Sequence, residues 1–253
     1  MKILHIADFH YTLKQWDWLA RVVEGEAFDL VINAGDLLDI ASIVETEVQV
    51  AVTLKYVATL AVKSAFVVSS GNHDGNTRDP ETGERVARWL RRARREGARI
   101  DGESFEAGEA LVTVCPWWDG PKTRESITAL LEGEAPRAVG KRWIWVHHAP
   151  PQGSPASWTG RTHFGDTAVA AWIERFQPSL VLSGHVHQAP FARDGSWIGR
   201  IGETWIFNPG RQIGPVPTHI IIETDLGTAE WYSLAGNERA DLNAVPFAGV
   251  VEF

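Results

Sequence analysis

The chain has 253 residues and a mass of 28.0 kDa, is 44% hydrophobic, and carries a formal net charge of -8 with an isoelectric point near 5.6. That content suits a packed globular protein, read as a single domain over residues 1–253 because no shift in composition marks a linker. The acidic balance argues against a surface built mainly for nucleic acid, the single cysteine excludes an internal disulfide, and no signal peptide or apolar run of the roughly 20 residues needed to span a bilayer is present, so the expectation is a soluble, cytoplasmic protein with no membrane partner.

The first predicted strand, Lys2 to Ala7, ends in Asp8-Phe9-His10. A carboxylate and an imidazole two residues apart can straddle one point and offer a metal an oxygen and a nitrogen, although alone such a pair also suits an ordinary turn. Trp16, Leu19, Val22 and Val23 fall at helical spacing and predict a helix over Gln15 to Val23. Phe28 to Ile32 is a short, β-branched, apolar run of the kind found in buried parallel strands. Gly35 breaks it, which places Asp36 just past a strand's C-terminal end, the edge at which open α/β sheets bind ligands. Strand, helix and strand in succession predict a parallel pair. A helix over Val44 to Val62 leads to the strand Ala65 to Ser69 and then to Gly71-Asn72-His73-Asp74. Here glycine permits a sharp turn, Asn72 offers a neutral carbonyl oxygen, and His73 can donate or accept a proton near pH 7.

Glu84 to Glu96 reads as a helix anchored by Val86, Trp89, Leu90 and Ala93. Its Arg85, Arg88, Arg91, Arg92, Arg94 and Arg95 keep nucleic acid in play, but they fit a solvated helix face better than a phosphate-binding surface. Ala110 to Cys115 is a strand in which Cys115 reads as a small core residue, since no nucleophile motif surrounds it. A helix at Ser126 to Leu131 follows, and the strand Trp143 to Val146 delivers His147-His148-Ala149-Pro150-Pro151, where the prolines stop the strand. Side chains alternate along a strand, so one of these two histidines reaches the shared crevice and the other faces away. Gln152 to Phe164 is a loop long enough to cover a site, in which Arg161 and His163 read as water-facing. Asp166 is placed to cap a helix with the stripe Val169, Trp172, Ile173 and Phe176. Leu180 to Ser183 then leads into Gly184-His185-Val186-His187, whose H-x-H pair brings two imidazoles towards one place. Beyond it, Trp197 to Ile201, Thr204 to Phe207, Thr218 to Glu223 and Thr228 to Ser233 read as an antiparallel meander, a second sheet packed on the first, and the tail from Ala235 shows little pattern.

These turns gather Asp8, His10, Asp36, Asn72, His147 or His148, His185 and His187. Hard oxygens and imidazoles without thiolate suit Mn, Fe, Zn, Co or Ni. The set is too large for one tetrahedral site and about right for two metals that share a carboxylate.

The order D-x-H, G-D-x-x-D, G-N-H-D, H-x-P-P and G-H-x-H, here Asp8 to His10, Gly35 to Asp39, Gly71 to Asp74, His148 to Pro151 and Gly184 to His187, resembles the calcineurin-like metallophosphoesterase superfamily, as does the turn Phe207-Asn208-Pro209-Gly210. The resemblance implies an α/β fold, a four-layer α/β/β/α sandwich of two mixed β-sheets flanked by helices. It also implies two divalent metal ions, Mn first among the candidates. Asp8, His10 and His187 would hold one metal, Asn72, His148 and His185 the other, and Asp36 would bridge them. His148 is preferred because the family's ligand precedes its proline by two residues, although the adjacent His147 keeps that choice open; with His148 as ligand, His147 is taken as a substrate contact. His73, held by Asp74, would be the catalytic histidine above the substrate. The implied function is hydrolysis of a phosphomonoester or phosphodiester, as a phosphatase or phosphodiesterase acting on a small substrate, by attack of a metal-bridging hydroxide with His73 assisting the leaving group.

Two alternatives stand beside it. The opening Ile3 to His10 also resembles the nuclease of double-strand-break repair, although the chain ends too soon after the core for that group's DNA-binding and ATPase-binding segments. Other members of the fold have lost metal ligands and act as interaction scaffolds, whereas the ligand set here is complete. Trp117, Trp118 and Trp158 sit in loops where an aromatic face could stack on a base or ring.

Overall fold

A computed structural model describes residues 1–244, so residues 245–253 of the tail lie outside the described residues. Strand β1 (Lys2–Ile6) turns Ile3 to one face and Leu4 and Ile6 to the other, the two-residue period of a strand buried on both sides. Helix α1 (Leu13–Gly25) buries Trp16, Leu19 and Val23 along one stripe and returns the chain to β2 (Leu30–Asn33). Helix α2 (Thr46–Lys63) does the same for β3 (Ala65–Val68). The three strands are parallel, with Ile3 opposite Leu30 and Leu30 opposite Ala65.

A small hairpin, β4 (Thr77–Arg78) with β5 (Arg85–Val86), and the short helix α3 (Leu90–Arg95) follow. Next come β6 (Ser104–Ala107), β7 (Ala110–Val114), α4 (Pro121–Ala138), β8 (Arg142–Val146), α5 (Thr167–Phe176), β9 (Leu180–Leu182), β10 (Ile198–Ile201) and β11 (Thr204–Phe207). Their strands form one sheet in the order β10-β11-β9-β8-β7-β6, parallel from β7 through β8 and β9 to β11. The last strands, β12 (His219–Glu223), β13 (Thr228–Ser233) and β14 (Gly236–Asp241), return to the first sheet, whose order is β14-β13-β12-β1-β2-β3.

Three apolar cores make the layers. Leu4, Val31 and Phe66 pack outward against Trp16, Val50 and Val57 of α1 and α2. Ile3, Leu30 and Val67 of the first sheet meet Val112, Ile144 and Leu182 of the second. Trp143, Val181 and Ile206 pack outward against Ile127, Leu131, Val169 and Ile173 of α4 and α5. The result is the sandwich of helices, two sheets and helices that the resemblance implies.

Three expectations are corrected. The late meander is not a separate sheet: β12 pairs antiparallel with β1, while β10 and β11 extend the sheet founded on β7, β8 and β9. The tail from Ala235 is strand β14 as far as Asp241. The helix read over Glu84 to Glu96 shrinks to Leu90–Arg95 because its first turn has better partners elsewhere: Arg85 and Val86 pair with Arg78 and Thr77, and the Glu84 carboxylate accepts the free amides of Lys122 and Thr123 at the start of α4, each at 2.8 Å. Arg88, Arg92 and Arg94 pair with Asp79, Glu47 and Glu103, which suits a solvated face. Asp166 caps α5 as expected, accepting from Ala168 N at 2.6 Å and Val169 N at 3.2 Å. No helix of the described residues is long and apolar enough to cross a membrane.

Candidate metal centre

The parallel strands of both sheets end at one edge, and the turns after β1, β2, β3, β8 and β9 bring their polar side chains together there. The backbone pays for this in strain: Asp8, His10, Tyr11, Asp36 and His185 have φ of 58°, 44°, 56°, 54° and 68°, a left-handed region that such residues rarely occupy. Adjacent turns hold one another in place, with Asp8 N donating to Gly35 O at 3.0 Å, His10 N to Asp36 O at 2.9 Å and Tyr11 N to Leu37 O at 2.9 Å. Glycine is required where the turns touch. Gly35 has φ of 97° and a side chain there would strike the His148 ring; one at Gly71 would overlap the Asp36 carboxylate.

Asp8 and Asp36 are buried, and imidazole nitrogens surround them. His187 Nε2 lies 3.2 Å from Asp8 Oδ1, and His10 Nε2 lies 3.6 Å from Asp36 Oδ2 and 3.0 Å from His187 Nε2. On the other side of Asp36, His148 Nε2 lies 3.2 Å from Asp36 Oδ2 and 3.2 Å from Asn72 Oδ1. His148 Nδ1 is 2.6 Å from Ala34 O, which fixes the ring with Nε2 turned to the centre. The His185 ring stands 5.1 Å from that of His148.

Burial opposes charge here, and the partners decide which groups keep it. Burial alone would raise Asp36, but the His148 charge and hydrogen bond hold its carboxyl well below the usual range. Asp8 is likewise held low, against burial, by His187 and His148. Burial would lower His148, yet Asp36 raises it to about 9. His10 and His185 are lowered to about 4, chiefly by burial, and so present neutral rings with a free lone pair.

Asp8, His10, Asp36 and His187 place one ligand atom each within 4.8 Å of one another, and so do Asp36, His148 and His185. Two imidazole nitrogens 3.0 Å apart, beside two buried carboxylates, are a donor set that a divalent cation fits. Asp36 belongs to both groups, and Asn72 adds a neutral oxygen beside the second.

All seven ligand residues expected from the sequence meet at this edge. Of the two histidines, His148 is the one whose ring faces Asp36 and Asn72. His147 is not a substrate contact: it is buried, its Nδ1 faces Ala149 O at 3.0 Å, and it points away from the carboxylates because neighbouring residues of a strand alternate.

Asp74 does not hold His73. Its carboxylate is buried beneath the turns, Oδ1 accepting from Leu37 N at 3.0 Å and Leu38 N at 2.9 Å, and Oδ2 from Gly71 N at 2.8 Å. The acid beside His73 is Asp39, with Oδ1 3.4 Å from His73 Nδ1, and Ile40 N donates to the same nitrogen at 3.2 Å. His73 packs edge-on against His10, with ring centroids 4.4 Å apart.

Of the three loop tryptophans, only Trp117 joins the centre, its ring 5.6 Å from that of His148 and 5.2 Å from that of His185. Trp118 donates to Asp166, and Trp158 donates to Arg193 O at 2.9 Å with its ring on His163. Two neighbours had no sequence signal. Phe164, 59% exposed, stacks on His185 at 5.2 Å. Arg211, just after the Asn208-Pro209-Gly210 turn, donates from Nε to Asp8 O at 3.1 Å.

Residues 1–189 match the family described as calcineurin-like phosphoesterase. Among solved structures, the Thermus thermophilus protein TT1561 aligns with a TM-score of 0.60 at 16% identity, over 95% of this chain and 98% of that one. A dimetal phosphatase from Danio rerio aligns with a TM-score of 0.55 at 11% identity, over 95% and 98%. At such identities the likeness is one of fold. No curated protein sequence matches the chain.

Proposed function

Because the chain belongs to the calcineurin-like phosphoesterase family, we propose that it hydrolyses phosphoesters at the edge where these strands end. The observation that carries the reading is Asp36, a buried carboxylate common to two groups of metal-ligating side chains. Asp8, His10, Asp36 and His187 would hold one divalent cation, and Asp36, Asn72, His148 and His185 a second, with Mn the cation expected first. When bound, such a pair supplies Lewis-acid activation of water and of the phosphoryl oxygens.

The chain's own residues then divide the remaining work. Neutral His10 and His185 offer lone pairs without having to lose a proton, while ionised Asp8 and Asp36 supply the negative charge. Water adds to phosphorus in line with the leaving oxygen, and the bond from phosphorus to that oxygen breaks. As general acid His73 would give a proton from Nε2 to the leaving oxygen and keep a second on Nδ1, the nitrogen that Asp39 Oδ1 faces at 3.4 Å. Asp39, beside Nδ1, keeps the ring in place. The similar Danio rerio protein is a dimetal phosphatase, which accords with two cations here. Substrates expected are a phosphodiester or a small phosphorylated metabolite.

The test is metal-stripped protein assayed on a chromogenic phosphodiester and its monoester with and without Mn, beside Asp36→Ala, with bound metal counted in each sample. Hydrolysis that needs Mn, two ions per chain and loss of both in Asp36→Ala support the reading. Hydrolysis that survives metal stripping, or Asp36→Ala that binds two ions and turns over like the parent, overturns it.

A further inference from the structure

A cavity of about 350 Å³ opens beside His73, between the first turn of α2 and the β4–β5 hairpin. That is the lower end of the size range of small-molecule sites. Asp39 and His73 form its inner wall, and Asn76, Arg78 and Arg85 face it from the hairpin side. The cavity thus adjoins the histidine assigned above to the leaving oxygen.

Its chemistry is cationic and unsatisfied. Arg78 Nη1 donates to Gly83 O at 2.8 Å and Arg85 Nη2 to Gly75 O at 2.7 Å, which anchors each guanidinium and leaves most of its five N–H donors uncommitted. Unlike Arg88, Arg92 and Arg94, these two arginines form no ion pair among the described residues. The one carboxylate on the wall, Asp39, already faces His73 and accepts from Ala41 N at 2.9 Å. Asn76 Oδ1 is buried with no hydrogen-bond partner among the described residues, an acceptor waiting for a hydroxyl or amine.

We propose that this cavity is a leaving-group subsite selecting esters whose departing half carries its own anion, a carboxylate or a further phosphate, held by Arg78 and Arg85. The proposal rests on the phosphoesterase reading and names the substrate class of that same site.

Two chromogenic esters of one phosphate, with 4-nitrophenol and with 3-carboxy-4-nitrophenol as leaving groups, differ only in the anion. The Mn-loaded protein should favour the carboxylated ester by about tenfold in kcat/KM, the effect expected of a partly exposed arginine-carboxylate contact. The ratio should fall towards one in Arg78→Ala and Arg85→Ala, each variant serving as its own reference because both esters are measured on it. The free phenols give a readout without turnover: in a chemical-shift titration of metal-free protein, 3-carboxy-4-nitrophenol should bind more tightly than 4-nitrophenol, and Arg85→Ala should abolish the difference. Equal affinity for the two phenols, or a preference that both variants retain, overturns the subsite. A binding preference without hydrolysis of either ester overturns the phosphoesterase reading and leaves the subsite standing.

Discussion

Replacing Asp74 by asparagine separates a supporting role from a catalytic one. In the folded chain both Asp74 oxygens face donors only, the amides of Leu37, Leu38 and Gly71 at 3.0, 2.9 and 2.8 Å. Burial, together with the nearby Asp36 charge, pushes its carboxyl up to about 8, while the amides pull the other way, and a protonated acid would turn an O–H towards an N–H with no acceptor to take it. Asparagine can keep the Leu37 and Leu38 bonds through its oxygen. Its NH₂ must then face Gly71 N, donor against donor, at the turn that carries Asn72 and His73.

Loss of one charge-assisted bond and one stranded buried amide, offset in part by relief of a buried charge, gives about 2–3 kcal/mol of destabilisation. For a chain of this size that lowers the melting temperature by about 4–12 °C. Asp39→Asn makes the contrast: its side chain is partly exposed, so the melting temperature should hold, while hydrolysis weakens most for the poorer leaving groups that need the His73 proton. Circular dichroism melts and a leaving-group series on the two variants read both effects. If Asp74→Asn melts with the parent yet loses activity as His73→Ala does, Asp74 acts in the chemistry and the assignment of His73 to Asp39 fails.

Other expectations follow from the same geometry. His148→Gln should lose the second metal while His147→Gln keeps two, by metal counting; the opposite result returns the ligand to His147. His5 is fully buried, and burial lowers its ring from 6.5 to about 4, so the folded chain binds fewer protons than the unfolded chain between those values. Its contribution is therefore complete above about pH 6.5 and is lost as pH falls towards 4, by up to about 3 kcal/mol at about 1.4 kcal/mol per pH unit. Urea melts of His5→Gln should show a shallower fall across that window, and an unchanged slope would remove His5 as its source. Phe164→Ala, which bares one face of His185, should raise KM for aryl and nucleoside esters about three- to tenfold with little effect on alkyl esters if the ring stacks on substrate; equal effects on both classes would show that it serves only to pack the histidine.

The centre was legible because its residues follow strand ends, and strand ends are local signals. Apolar runs ended by turn residues, glycine before Asp36, Asn72 and His185 and prolines after His148, placed Asp8, Asp36, Asn72, His148, His185 and His187 at strand ends without any tertiary contact being known. Contacts that cross the fold left no such trace. Nothing in the sequence distance between Glu84 and Lys122 says that one caps the helix begun by the other, so Arg85 was read into a helix when it belongs to a hairpin. The pairing of β12 with β1 joins residues more than 200 positions apart, and local pattern could count the late strands but not assign them to a sheet. Asp74 was misread as well. The family resemblance implied it as the partner of His73, whereas the turn directs the two side chains apart and Asp39 arrives from another strand end.

The strained residues say how the centre is built. Of the seven non-glycine residues with positive φ among those described, five are Asp8, His10, Tyr11, Asp36 and His185. Each such conformation costs on the order of 1–3 kcal/mol and persists only where the surroundings over-determine it. Here the surroundings are the other turns: the Asp8, His10 and Tyr11 amides are bonded to the Gly35, Asp36 and Leu37 carbonyls, and the Asp36 carboxylate accepts from His73 N at 2.8 Å. The turn after β1 thus braces the turn after β2, which braces the turn after β3. The three amide-to-carbonyl bonds run through the backbone, so substitution of a ligand whose side chain accepts none of the bracing amides, such as His187→Ala, should empty its own position while leaving the turns, and with them the geometry of the other ligands, in place.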